Sequence, residues 1–142
     1  GIENPRVGLL SIGEEPGKGD TLRKEGFELL SRTKGINFIG NIEGRDIFTN
    51  KADVLVCDGF TGNIVLKQAE GFYNIIKERG INDDYFELFN FEKYGGTPVL
   101  GVKGNVIIGH GSSNELAVAN MVLHAYDVAK NKLSDKIKKA FK

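Results

Sequence analysis

The strongest constraint on the fold is an alternation in which short apolar runs are closed by glycine turns and followed by segments of helical period. Residues 7–12 form the first run. The loop Gly13-Glu14-Glu15-Pro16-Gly17-Lys18-Gly19-Asp20 ends it, because glycine and proline interrupt regular structure. Asp20 or Thr21 can cap the next helix, whose apolar face is expected from Leu22, Phe27, Leu29 and Leu30. Residues 36–39 and 53–57 read as two further buried strands, with a short helical turn at 43–48 between them. The turn Asp58-Gly59-Phe60-Thr61-Gly62-Asn63 then leads into a helix with the stripe Val65, Leu66, Ala69, Phe72, Tyr73 and Ile76. Residues 99–102 and 106–108 suit a hairpin turning at Lys103-Gly104-Asn105. His110-Gly111-Ser112-Ser113-Asn114 opens a last long helix with Val118, Val122, Ala125, Tyr126 and Ala129 on one face, capped by Ser112, Ser113 or Asn114. This order implies an α/β fold: a mixed, largely parallel sheet flanked by helices, with function gathered in loops beyond the strand C-termini.

Composition removes several functional classes. Basic and acidic residues balance at 19 each, so no long-range field recruits nucleic acid. The single cysteine, Cys57, allows no internal disulfide, and no Asn-X-Ser/Thr acceptor occurs; a reducing cytoplasm is the expected location. No apolar run approaches the roughly 20 residues that span a bilayer. The opening Gly1-Ile2-Glu3-Asn4-Pro5 has neither Met nor a signal segment and reads as the middle of a longer chain. Tyr85, Phe86, Phe89, Phe91 and Tyr94 crowd one stretch and call for a partner surface. At the end, Leu133, Ile137, Ala140 and Phe141 share a helical face while Lys130, Lys132, Lys136, Lys138, Lys139 and Lys142 take the remainder. Such a helix either rests on an anionic membrane or packs on its own domain.

Three glycine-bearing loops, around Lys18, Asn63 and His110, lie between a strand and a helix, where backbone N–H groups and the helix dipole favour an anion. An oxyanion or phosphate site is one reading; tight turns alone are the other. Gly109-His110-Gly111-Ser112-Ser113-Asn114 has Asn114 where a dinucleotide fingerprint needs its third glycine. Gly17-Lys18 lacks the opening glycine of a P-loop at Ile12 and has Gly19 in place of its Ser or Thr. Neither NAD nor ATP is supported, and no cofactor is expected. Cys57, ending a buried strand beside Asp58, reads as an inert thiol. His124, mid-helix, reads as packing or surface, and two histidines so placed suggest no metal site. His110 and Ser112 are local neighbours without the sharp nucleophile turn of a hydrolase triad.

The runs Asn4-Pro5-Arg6-Val7-Gly8-Leu9-Leu10-Ser11-Ile12-Gly13-Glu14-Glu15 with Lys18-Gly19, Phe38-Ile39-Gly40-Asn41-Ile42-Glu43-Gly44-Arg45-Asp46 and Asp53-Val54-Leu55-Val56-Cys57-Asp58-Gly59-Phe60-Thr61-Gly62-Asn63 carry a resemblance. Val65-Leu66-Lys67, Glu70-Gly71, Tyr94-Gly95-Gly96 and His110-Gly111-Ser112-Ser113-Asn114 continue it in order. Together they resemble the PlsX family of acyl-acyl-carrier-protein:phosphate acyltransferases. The resemblance implies a fold similar to isocitrate and isopropylmalate dehydrogenases and phosphotransacetylases, a homodimer without metal, and acyl carrier protein and inorganic phosphate as partners. The acyl phosphate product would serve phospholipid synthesis in the cytoplasm, with weak peripheral contact at the inner face of the cell membrane. Residues 1–142 would be the C-terminal part of such an enzyme, the family's N-terminal portion being absent. Residues 71–93 would replace a longer hairpin that the family uses for dimer and membrane contact.

Phosphate attack on a thioester needs little acid or base help, since phosphate is anionic at neutral pH and thiols titrate near pH 8.5. It needs a place to hold phosphate and donors for the tetrahedral oxyanion. The matching positions make Lys18 the electrostatic catalyst, Asn63 a positioning donor, and His110 a residue that orients substrate or protonates the leaving sulfur. Gly17, Gly19, Arg45, Asp58, Gly59, Gly62, Lys67, Gly111, Ser112 and Asn114 complete the expected substrate and phosphate contacts, with Arg45, Asp58 and Lys67 equally readable as salt-bridge or capping residues. The rival readings are a coenzyme A-dependent phosphate acetyltransferase and a noncatalytic fragment or dimerisation domain.

Overall fold

The computed structural model describes residues 2–141, and the chain divides between Ile64 and Val65 into two compact units. Gly1 and Lys142, the latter counted in the basic tail, lie outside the described residues.

In the first unit, strand β1 (Arg6–Ser11), helix α1 (Thr21–Arg32) and strands β2 (Asn37–Glu43) and β3 (Val54–Val56) form a parallel sheet in the order β2-β1-β3. The central strand buries Gly8, Leu9 and Leu10. β2 outruns the expected 36–39. Val7 faces Phe38 and Gly8 faces Gly40, so Ile39 is bulged out and pairing resumes through Glu43. Ile42 thereby becomes the most enclosed large side chain, 1% exposed, over the space left by the missing side chain of Gly8.

Asp20 caps α1, accepting from Arg23 N. The inward face of α1 is Arg23, Gly26, Phe27 and Leu30, an i, i+3, i+4, i+7 set, with Phe27 edge-on to Phe38 at 5.2 Å. Leu22 and Leu29, expected on that face, are exposed because they lie to either side of this stripe. β3 is an edge strand of this three-stranded sheet, so Val54 and Val56 are exposed. The expectation of a buried thiol fails for the same reason: Cys57 is exposed.

Arg6 fastens β1 to the start of β3. Its Nε and Nη2 donate to Asp53 Oδ2 and Oδ1 at 3.0 and 2.9 Å, its backbone N donates to Oδ2 at 2.7 Å, and Asp53 N donates to Arg6 O at 2.9 Å. The Arg6 guanidinium, aided by the Arg6 N–H, holds the Asp53 carboxyl down from 3.8 to about 2. A carboxylate depressed in the folded state stabilises above its unfolded pKa, and that contribution is lost as pH falls through the folded value. Stability of this unit is therefore expected to decline between pH 4 and pH 2, with the Asp53 share absent in Asp53→Asn. Urea midpoints at pH 7 and pH 3 check this: the parent should lose more than the variant, and parallel losses would refute it.

Helix α2 (Gly59–Glu78) starts earlier than expected, which places Gly59, Gly62 and Asn63 in its first turns and not in a loop before it. Beyond the unit boundary, Val65, Ala69, Tyr73 and Ile76 of its stripe are half-buried, while Leu66 and Phe72 are exposed. The second unit continues with helix α3 (Phe91–Tyr94), strands β4 (Gly96–Pro98) and β5 (Ile107–Gly109), helix α4 (Glu115–Lys130) and helix α5 (Leu133–Ala140). The antiparallel pair β4-β5 forms a sheet of its own. The expected hairpin exists with a shifted first arm: Gly96 faces Gly109, Pro98 faces Ile107, and Val99 N reaches Val106 O at 2.8 Å. Residues 100–105 become the turn, leaving Leu100 and Val102 exposed.

α4 rotates its expected face outward. Val118, Val122 and Tyr126 are exposed, whereas Ala117, Met121, His124 and Val128 face inward. The cause is Gly95: its backbone, at φ +71, sits directly against the backbone of α4 between Ala117 and Met121, an approach that the absence of a Cβ on Gly95 permits. In the aromatic segment, Tyr85 meets Phe86 and Phe89 edge-on, each at 5.9 Å. Glu87 ties the segment to α2, accepting from Tyr73 Oη at 2.9 Å and Lys77 Nζ at 3.1 Å and pairing with Lys93 at 3.2 Å. Lys77 first, then Tyr73 and Lys93, hold its carboxyl down from 4.5 to about 2. On the tail, Leu133 and Ile137 are half-buried and Phe141 is 89% exposed. Among the described residues no helix is long and apolar enough to cross a membrane.

Candidate active site

At the C-terminal end of β1 the chain enters the Gly13–Gly19 loop, the position where parallel sheets present ligand-binding loops. The loop is stapled from inside. Asn41, 4% exposed on β2, donates from Nδ2 to Glu15 O at 2.8 Å, Lys18 N donates to Glu15 O at 3.0 Å, and Ser11 Oγ donates to Lys18 O at 3.3 Å. Asn41 Oδ1 is buried with no hydrogen-bond partner among the described residues. Lys18 is exposed, and its stem crosses over Gly13, where a Cβ would stand 2.8 Å from Lys18 Cγ. Gly17 is exposed with open space around it, whereas Gly19, at φ +96, backs onto Arg23 so that a Cβ would come within 2.7 Å of Arg23 Cβ.

Arg23 joins this loop to the start of α2. Its guanidinium pairs with Asp20 at 3.0 Å, with Asp58, and with Thr61 Oγ1 at 2.6 Å. Asp58 Oδ1 accepts from Phe60 N at 2.9 Å and Thr61 N at 3.0 Å, and Thr61 Oγ1 donates to Asp58 Oδ2 at 2.6 Å. Thr61, through its hydroxyl and N–H, and then Arg23 hold the Asp58 carboxyl far below the ordinary carboxylate range. The N–H groups expected to face an anion here are taken: those of Phe60 and Thr61 by the Asp58 carboxylate, and that of Gly62 by the Asp58 backbone carbonyl at 3.0 Å. Gly59 and Asn63 are exposed in the first turns of α2, and Gly62 lies against Cys57 Sγ. Arg45, in the helical turn 44–48 after β2, is exposed and pairs with Glu43 at 2.6 Å. Nearby, Glu14, Glu43 and Asp46 bring carboxylate oxygens within 4.8 Å of one another. Lys51 provides the cation there, 2.5 Å from Glu14 and 3.2 Å from Asp46.

The second unit gathers the other expected residues around His110. Lys67 Nζ lies 2.5 Å from His110 Nε2 and 2.8 Å from Glu70 Oε2, which is 3.4 Å from the same ring nitrogen. On the other side Nδ1 lies 2.8 Å from Ser112 Oγ and 3.2 Å from Ser112 N, and the ring stacks on Phe91 at 4.3 Å. A Lys67 ammonium donating into Nε2 puts the ring proton on Nδ1, facing Ser112 Oγ. Both ring nitrogens thus have polar partners. Gly111 is exposed. Asn114 is the N-cap of α4, accepting from Ala117 N at 2.9 Å, and donates from Nδ2 to Glu92 at 2.7 Å; its side chain is engaged in capping.

Residues 1–82 match the profile of the fatty acid synthesis protein family. The chain belongs to that family. It is the family to which the PlsX motifs pointed. Curated members named phosphate acyltransferase run along most of the chain. One from Lawsonia intracellularis is 45% identical over 139 residues, which is 84% of this chain and 40% of the relative. Another from Halothermothrix orenii is 47% identical over 142 residues, 86% and 42% respectively. A third from Syntrophomonas wolfei is 48% identical over 132 residues, 89% and 41%. The chain thus spans about two fifths of the length of these relatives. The family match contains Lys18, Arg45, Asp58, Asn63 and Lys67, while His110, Gly111, Ser112 and Asn114 lie beyond it.

Sequence reasoning missed three residues that organise these clusters. Arg23 had a local signal, its position three residues after a capping aspartate. Asn41 had one too, a polar residue between Gly40 and Ile42 where the strand continues. Glu70 stands three residues after Lys67 on the same helical face.

Proposed function

We propose that this chain is the C-terminal part of a phosphate acyltransferase that passes a fatty acyl group from acyl carrier protein to inorganic phosphate, forming acyl phosphate for phospholipid synthesis in the cytoplasm. The observation that carries this reading is the run of curated phosphate acyltransferases at 45–48% identity along 84–89% of the chain. A phosphate oxygen would attack the thioester carbonyl carbon, the carbon–sulfur bond would break, and the thiolate of acyl carrier protein would leave and take up a proton. The exposed Lys18 on its stapled loop is placed by this reading at the phosphate and the developing oxyanion, with Asn63 as a positioning donor. His110, between Lys67, Glu70 and Ser112, supplies orientation or the proton for sulfur. Gly17, Gly59 and Gly111, with open space beside them, allow close approach of substrate, Gly19 and Gly62 make room for Arg23 and Cys57 that back the loops, and Arg45 adds positive charge.

The decisive test is substrate comparison on the full-length gene product. Acyl phosphate should form from a long-chain acyl-acyl-carrier-protein and phosphate at least tenfold faster than from acetyl-coenzyme A. The reverse preference would make the protein a short-chain phosphate acetyltransferase, and no product from either would leave it a binding or dimerisation module. A homodimer belongs to the same reading, with Tyr85 and Tyr94, 48% and 53% exposed in the single chain, covered by the second copy. Sedimentation of a monomer at micromolar concentration would refute that. Weak contact between the lysine-rich tail and the anionic inner face of the membrane completes the proposal.

A further inference from the structure

The turn that joins β4 to β5 and the terminal helix α5 enclose a groove of about 690 Å³, within the 300–1,000 Å³ usual for small-molecule sites. Ser134 Oγ donates to Gly104 O at 2.8 Å, so turn and helix are fixed to each other. Val102, Ile137 and Phe141 give the groove apolar surface, and Lys103, Lys132 and Lys138 line it as well. None of these three lysines has an ion-pair partner among the described residues. Asp135 is the single carboxylate in the lining among the described residues. Lys132 enters α5 in the left-handed region, at φ 52.

An apolar trough edged by unneutralised cations is complementary to a molecule with an apolar chain and an anionic end. We propose that this groove binds a monomeric single-chain anionic amphiphile, a long alkyl or acyl chain ending in a phosphate or carboxylate. A concave space of this size encloses one chain, whereas a bilayer would meet only its rim. No residue given a part in the acyl-transfer step lines the groove, so its occupancy is measurable whether or not that step holds.

The test is calorimetric titration of the full-length protein with decyl phosphate below its micelle concentration, with hydrogen exchange followed by mass spectrometry. Saturable binding is expected, with protection confined to residues 101–105 and 129–141, and with affinity that falls as salt rises. The double charge reversal Lys103→Glu with Lys138→Glu should weaken binding at least tenfold at an unchanged melting temperature, and Phe141→Ser should weaken it several-fold. Decanol should bind far less. Four results would overturn the proposal: no saturable binding, protection elsewhere, equal protection of these segments by inorganic phosphate alone, or binding to anionic vesicles without binding of the monomer. The last would assign the lysines to a membrane surface instead.

Discussion

Lys18→Ala in the full-length gene product is expected to lower the rate of acyl phosphate formation by about 100-fold or more, the scale set by removing one preorganised oxyanion donor. The fold should be unaffected. Lys18 is exposed, and its ammonium takes part in no ion pair or side-chain hydrogen bond among the described residues, so only its stem along Gly13 is lost. The loop backbone retains its staples from Asn41 and Ser11. The measurement pairs kcat with the melting temperature: a loss in kcat at an unchanged melting temperature fits charge stabilisation of the transition state. A rate within about twofold of the parent, far below the tenfold that about 1.4 kcal/mol represents, would remove Lys18 from the chemistry.

Gly95→Ala should be the most damaging single methyl addition to the second unit. The residue is held at φ +71, and its new Cβ would stand 2.6 Å from both Ala117 O and Asn120 C, atoms of the α4 backbone that no rotamer change can move. Left-handed geometry costs a non-glycine residue about 1–2 kcal/mol. Overpacking a rigid contact adds about 1–3 kcal/mol. The expected loss is therefore about 3 kcal/mol or more, roughly 12–24 °C in melting temperature for a cooperative unit of this size. Chemical denaturation of the variant beside Gly104→Ala, where nothing lies within 4 Å of the added Cβ, separates close approach from mere loss of glycine. Equal midpoints for the two variants would show that α4 can retreat.

The parallel sheet, the capped helix at Asp20 and the cap at Asn114 were legible because each is written in local residue chemistry: apolar runs, a short acidic or amide side chain, a glycine turn. The packed faces were less so. α4 carries apolar residues almost all round, so period alone could not choose between the face with Val122 and the face with Met121; the close approach of Gly95, a nonlocal fact, decided it. β2 was cut short at Gly40 because glycine and asparagine read as breakers, whereas pairing with β1 carries the strand through a bulge. On the site, Lys18, Asn63 and His110 stood out by residue type and loop position. The residues that hold the clusters together, Arg23, Asn41 and Glu70, act through partners distant in sequence or through a neighbouring turn. The start of α2 shows the same limit: a glycine turn suggests open N–H donors, and residue type alone leaves Asp58 readable as a substrate contact, a salt bridge or a cap, of which the structure shows the cap and the ion pair.

Because one side chain, that of Arg23, backs Gly19 with its stem and holds the Asp58 cap with its guanidinium, damage at either end will be read out at the lysine loop. In a survey of point variants scored by activity, Arg23 and Asp58 should therefore fall in the same severity class as Lys18. Their signature is thermal: activity lost at working temperature should return in part on cooling, as a displaced loop regains its place, whereas a missing Lys18 charge returns at no temperature.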